Sequence, residues 1–208
     1  METPLKQNLR PLCALILCLF FILAGCSKTI EAPSQLFTGN NYKVGQQAFV
    51  NVQHFSADGK VGFSDGQRGG NANMRWVQDG QEYQFRLYGP LGSGAVQIMG
   101  GTNHVSLTRS DGHIIKSKSP EALVHSELGW VIPVSGLSYW LRGIPAPGTA
   151  PVVRLDAEKR IWQIIQQGWT ISYQSYREVD GRMLPFKLTL VNGPIRLKFI
   201  FNSWQLSP

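Results

Sequence analysis

Tyr83-Gln84-Phe85-Arg86-Leu87-Tyr88-Gly89-Pro90-Leu91-Gly92-Ser93-Gly94-Ala95-Val96-Gln97-Ile98-Met99 reads as two strands joined by a turn. Tyr83, Phe85 and Leu87 alternate with Gln84 and Arg86, the period of a half-buried strand. Val96 and Ile98 form a second, less cleanly two-sided strand. Between them, the glycines permit positive φ and Pro90 fixes its own, so Gly89 to Gly94 makes a defined hairpin turn. A hairpin tip ordinarily carries polar residues. This one carries Leu91, between Pro90 and Gly92, with neighbours too small to cover it. Two readings stay open at this point. Leu91 either folds back onto the sheet or is held out to enter something apolar, a lipid surface or a partner's groove.

Outward from this hairpin the same period recurs. Lys60 to Phe63 reads as a strand ending at Asp65-Gly66. Ala72, Met74 and Trp76 face one way, and Asn73, Arg75 and Val77 mostly the other. Asp79-Gly80 turns into the hairpin. Downstream, Val105 and Leu107 alternate, Asp111-Gly112 turns, and Ile114 to Ser117 continues. Strands resume at Val152–Leu155, Ile161–Ile165, Trp169–Tyr173, Phe186–Leu190 and Ile195–Phe201, with turns at Asp180-Gly181 and Asn192-Gly193. A sheet of so many short antiparallel strands is expected to curl into a barrel or half-barrel with one apolar face.

Two helix signatures interrupt it. Ser119-Pro120-Glu121 sets a capping serine, a first-turn proline and an acid in the order a helix start prefers, and Gly129 can stop it. Leu137, Trp140 and Leu141 share one helical face, and Gly143, Pro145 and Pro147 prevent continuation. Tyr42, Gly45, Phe49 and Val52 suggest a further short amphipathic helix, weakened by Gly45. These helices are placed to cover the open side of the sheet.

The chain of 208 residues begins with a targeting pattern: Lys6 and Arg10, then an uncharged apolar run from Leu12 to Leu23. The run is too short for a membrane-spanning helix and suits a signal-peptide core. It ends in Leu23-Ala24-Gly25-Cys26, where small residues precede a cysteine. This resembles the bacterial lipobox, whose thiol is diacylated and whose new amino terminus is then acylated; the alternative is an ordinary secreted protein with a chance cysteine. The expected organisation is a signal peptide over 1–25, a lipidated terminus and tether over 26–40, and one domain over 41–208. Ser27 resembles an outer-membrane address. Cys13 and Cys18 leave with the leader and Cys26 is taken by lipid, so no thiol remains for disulfide or metal. Loss of Glu2, Lys6 and Arg10 leaves 18 Lys and Arg against 12 Asp and Glu, a net charge of +6. The basic residues are scattered, without the aromatic interleaving of a nucleic-acid site.

No catalytic pattern stands out. His54, His104, His113 and His125 are dispersed, without metal spacing. Gly92-Ser93-Gly94 lacks the spacing and following helix of a nucleophile elbow, and Gly100-Gly101 lacks a phosphate-loop lysine. Trp76, Tyr139, Trp140, Trp162, Trp169 and Phe199 read as packing residues.

The lipobox Leu23–Cys26, Met74-Arg75-Trp76, Gly89-Pro90-Leu91-Gly92, Ile132-Pro133-Val134, Tyr139-Trp140-Leu141-Arg142-Gly143-Ile144-Pro145 and a last strand near Trp204 occur in that order. The set resembles the LolB family over most of the chain from Phe55. The first helix departs from the family in carrying Gly45 and lacking a tryptophan nearby. The resemblance implies a mainly β fold, an incomplete antiparallel β-barrel covered by a helical lid that encloses an apolar cavity. It implies a non-enzymatic receptor, anchored at the outer membrane and facing the periplasm. Such a receptor accepts acylated lipoprotein cargo from a LolA-like periplasmic carrier and inserts it into outer-membrane lipid. It implies an N-acyl, S-diacylglycerol group at Cys26, no other cofactor and no metal, a monomer, and a membrane-directed loop of Pro90, Leu91 and Gly92. Trp76, Leu137, Trp140, Leu141 and Trp169 are the cavity or lid candidates. A structural outer-membrane scaffold is the alternative; an anchored hydrolase is disfavoured by the missing nucleophile and base.

Overall fold

The computed structural model describes residues 35–38, 52–102, 104–129 and 131–207. Cys26 and most of the segment from Tyr42 to Val52 lie outside these residues. The described chain forms one 12-stranded antiparallel sheet in the order β1-β8-β9-β10-β11-β12-β2-β3-β4-β5-β6-β7. The strands are β1 (Gln35–Thr38), β2 (His54–Ser64), β3 (Gly69–Asp79), β4 (Glu82–Tyr88), β5 (Val96–Gly100), β6 (Val105–Arg109) and β7 (Ile114–Ser117). After the helices come β8 (Val152–Leu155), β9 (Ile161–Gln166), β10 (Trp169–Val179), β11 (Arg182–Asn192) and β12 (Ile195–Leu206). β1 and β7 are its edges, so the sheet stays open, as an incomplete barrel requires. The sequence reading has no strand at Gln35–Thr38; it pairs with β8, from Gln35 opposite Leu155 to Thr38 opposite Val152.

Alternation sets the two faces. Met74 and Trp76 of β3, Phe85 of β4, Ile98 of β5 and Leu107 of β6 are buried, and Leu188, Leu190, Leu197 and Phe199 continue the apolar face through β11 and β12. The register shifts between Phe201 and Ser203, where β12 meets β2. Beside it the backbones come close: a Cβ on Gly59 would lie 2.3 Å from the Ile200 carbonyl oxygen, so no side chain fits there. A second irregularity falls in β10 between Tyr173 and Tyr176. Bulges of this kind increase local twist and help a wide sheet to curl.

Helix α1 (Pro120–Leu128) begins as its sequence predicts: the Ala122 amide donates to the Ser119 hydroxyl at 3.2 Å, and Gly129 ends the helix in the left-handed region at φ 70°. It packs on β6 and β7 and against α2 (Val134–Trp140). α2 buries Val134, Gly136, Leu137 and Trp140. Gly136 leaves room for the indole of Trp140, which a Cβ would approach to 3.1 Å.

Candidate functional site

At the β4–β5 hairpin, Leu87 pairs with Val96, and the tip between them is a short 3₁₀ turn, Pro90–Gly92. Four hydrogen bonds fix it. The Gly89 amide donates to the Ser93 carbonyl at 2.8 Å, the Gly92 amide to Gly89 at 3.1 Å and the Ser93 amide to Pro90 at 3.2 Å. The Ser93 hydroxyl donates to the same Pro90 carbonyl at 2.9 Å. Leu91 sits within this frame at φ 56° and ψ 23°, the left-handed region that disfavours leucine, and its side chain is 108% exposed. Of the two readings open in the sequence, folding back onto the sheet is thus excluded: Leu91 points outward from a strained, hydrogen-bonded turn. Backbone strain held in place by surrounding bonds is characteristic of positions kept for function.

The other candidates lie elsewhere. Trp76, Trp140 and Leu141 are fully buried, and Leu137 and Trp169 are 3% exposed. Trp140, Leu137 and Leu141 come together at the end of α2, whereas Trp169 opens β10. The Trp140 indole N–H donates to Gln166 Oε1 at 2.9 Å, and its carbonyl accepts from the Tyr173 hydroxyl at 2.8 Å. Burial among apolar groups, with Tyr176 alongside, pushes the Tyr173 phenol well above its ordinary pKa, so it stays a donor. α2 is therefore tied to β9 and β10 by polar bonds inside the core.

A cleft of about 770 Å³ opens where the two helices meet β3 and β4, lined by Trp76, Tyr83, Glu121, Val134, Tyr139 and Arg142 among others. Its lining is mixed, not the uniformly apolar surface that the resemblance implies. Of the candidates above, Trp76 alone reaches it. Trp76 donates to Gln78 Oε1 at 2.9 Å and stacks on Tyr83, with ring centroids 5.4 Å apart. The Tyr83 hydroxyl is buried without a hydrogen-bond partner; burial, then Glu121 and Glu82, push its pKa up to about 12.

Three residues to which the sequence reading assigned no part in the site hold this region. Glu121 on α1 accepts from the Ser135 amide at 3.0 Å and from the Ser135 hydroxyl at 2.7 Å, bridging α1 to α2. Burial pushes its carboxyl up, but these bonds outweigh burial and hold the pKa below the ordinary value. Arg142, 7% exposed, donates to the Ser138 carbonyl at 2.7 Å and to the Val52 carbonyl at 2.5 Å, with Phe55 and Tyr139 rings against its guanidinium. Burial lowers its pKa, and a guanidinium keeps its charge in proteins. Gln166, 2% exposed, also accepts from the Ala146 amide at 2.9 Å and donates to the Ala146 and Thr149 carbonyls at 2.8 and 2.6 Å. Buried polar residues in apolar runs were the signal available for Arg142 and Gln166.

A family model described as "Outer membrane lipoprotein LolB" matches residues 53–204. A protein of Stutzerimonas stutzeri (strain A1501) named Outer-membrane lipoprotein LolB is 32% identical over 193 residues, covering 90% of this chain and 92% of its own length. One of the same name from Francisella tularensis subsp. novicida (strain U112) is 32% identical over 204 residues, covering 97% and 96%. Among solved structures, an outer membrane lipoprotein-sorting protein domain from Vibrio parahaemolyticus superposes with a TM-score of 0.52 at 11% identity. It covers 76% of this chain and 86% of that one, a likeness of fold alone.

Proposed function

The chain belongs to the LolB family, and from that premise we propose that it is the outer-membrane receptor that takes lipoproteins from a LolA-like periplasmic carrier and inserts them into the membrane. It traffics cargo and catalyses no covalent step. Its own anchor is an N-acyl, S-diacylglycerol group on Cys26, and it works as a monomer facing the periplasm. Family membership favours transfer over a purely structural scaffold.

The observation that supports the membrane half of this reading is Leu91, fully exposed at the end of a hydrogen-bonded hairpin. Full burial of such a side chain is worth about 1.5–3 kcal/mol, a reversible touch rather than a second anchor. Acyl chains demand more. Each CH₂ left in water costs about 0.8 kcal/mol, so cargo must pass between apolar surfaces without a free aqueous step. In this chain the buried side chains of Leu137, Trp140 and Leu141, in and just after α2, would supply that surface, with Trp76, Val134 and Tyr139 lining the cleft. Reception of cargo would displace the helix pair from the sheet. Transfer then runs downhill in affinity, from the carrier to the receptor and from the receptor to the bilayer.

A two-stage assay tests the reading: acylated cargo bound to purified carrier is mixed with the receptor, and the loaded receptor is then mixed with liposomes. The expected result is transfer at both stages. Absence of carrier-to-receptor transfer, with no acylated peptide co-purifying by native mass spectrometry, would leave the scaffold instead.

A further inference from the structure

The outer face of the sheet carries a polarised charge pattern. Side chains opposite one another in register share a face. One outer row runs through Lys187 on β11, Ile200 on β12, Lys60 on β2, Asn73 on β3 and Tyr88 on β4. The next row holds Thr189, Lys198, Gly62 and Asn71, and Arg196 lies beyond it opposite Ser64. Arg86, two residues before Tyr88 on the same face of β4, stands over the Tyr88 ring at 5.6 Å. Lys60, Arg86, Arg196 and Lys198 are exposed and Lys187 is half-buried. Among the described residues none of these cations pairs with a carboxylate.

The nearest acid of this face, Asp58 beside Lys60 on β2, is paired with Arg75 at 2.9 Å, and the others lie toward its ends. Asp79 and Glu82 face each other in the last β3–β4 pair, at the end away from the Leu91 tip. Toward the tip, Asp65 is in a turn and bonded to Arg68, and Asp111 is in the β6–β7 turn. Strands spaced about 4.8 Å apart put β2 roughly 10 Å from β4, so Lys60 and Arg86, two residues apart in register, act within about two screening lengths of one another. An exposed isoleucine, Ile200 at 40%, sits between Lys187 and Lys60.

We propose that this outer face, through Lys60, Arg86, Lys187, Arg196 and Lys198, binds anionic phospholipid headgroups and lays the receptor against the bilayer with the Leu91 tip inserted. The proposal rests on the reading of Leu91 as membrane-directed. The face is continuous with the hairpin that carries Leu91, its cations lack carboxylate partners among the described residues, and phosphodiesters supply the complementary charge. Each basic side chain at an anionic surface strengthens association by about fivefold, so these cations together outweigh the contribution of one leucine.

The test uses the full chain reconstituted in vesicles of phosphatidylcholine alone or doped with phosphatidylglycerol. An apolar, environment-sensitive fluorophore on Leu91→Cys reports the tip. The expected result is insertion favoured by phosphatidylglycerol, reversed by high salt, and reduced at least roughly tenfold by Lys60→Glu with Lys198→Glu. Both substitutions are exposed, and an unchanged melting temperature checks the fold. Equal insertion in the two vesicles, untouched by the double variant, overturns the basic face but leaves the tip reading standing. A tip that stays in water in every vesicle overturns both. Normal insertion by the double variant, with slower receipt of cargo from the carrier, assigns the face to an acidic protein partner and overturns the proposal.

Discussion

The indole N–H of Trp140 and the side-chain oxygen of Gln166 meet at 2.9 Å in the core, and Gln166 holds the Ala146 and Thr149 backbone with the rest of its amide. This one amide joins α2, the loop after it and β9. Gln166→Leu leaves the Trp140 and Ala146 donors buried and unpaired. It should destabilise the protein by about 3 kcal/mol or more, seen as a lower urea midpoint. Trp140→Ala should cost about 3–5 kcal/mol by loss of packing. A loss well below that range, with weakened cargo binding, would identify Trp140 as a wall of the acyl site instead.

Leu91 offers two substitutions that separate its side chain from its backbone. Leu91→Glu replaces an exposed side chain and should leave stability within about 0.5 kcal/mol. Leu91→Gly relieves the left-handed strain and should be neutral or stabilising by up to about 1 kcal/mol. Both should still receive cargo from the carrier, and both should lose delivery to liposomes, the glutamate more completely because a carboxylate resists the bilayer surface. Equal loss at the two stages would show instead that the tip docks the carrier.

Glu121 makes part of the helix pairing pH-dependent. Its folded pKa lies below the ordinary 4.5 because the bonds from Ser135 outweigh burial. Its contribution is therefore complete above about pH 4.5 and is lost as the pH falls through the depressed folded value. Stability of the wild type should drop more between pH 7 and pH 3 than that of Glu121→Gln. Parallel pH profiles for the two proteins would remove this role.

For the terminus, Cys26→Ala should give an unprocessed or soluble form, while intact mass of the mature wild type should include the acyl additions. A mature chain beginning at Cys26 without added mass would end the lipid-anchor reading.

Much of the fold was legible because burial leaves a period in the sequence. Tyr83, Phe85 and Leu87 announced their strand, Ser119 its helix start and Asn192-Gly193 its hairpin. Pairing across long stretches was not legible: nothing in Gln35–Thr38 names β8 as its partner. Neither were the bulges, which arise where strands of different twist meet. At the site, the glycine-rich frame of Leu91 was visible but its direction was not, since the same residues permit either. The bonds of Gln166 and Arg142 escaped notice because Trp140 and Ala146 for the one, and Val52 for the other, are joined to them by tertiary structure, not by spacing.

The seam between β2 and β12 has a consequence for the order of events in the cell. Phe55 pairs with Leu206 and Ser64 with Arg196, so the first long strand, besides its neighbour β3, finds its second neighbour only in the last. β3 to β7 extend from that seam on one side and β11 to β8 on the other. β2 to β7 and β8 to β12 each pair between sequence neighbours, but the distant contact that joins the two runs slows completion of the sheet. Until the C-terminal strand has emerged, the middle of the sheet lacks a partner. The sheet is therefore whole, and its curved face complete, only once the last strand has taken its place.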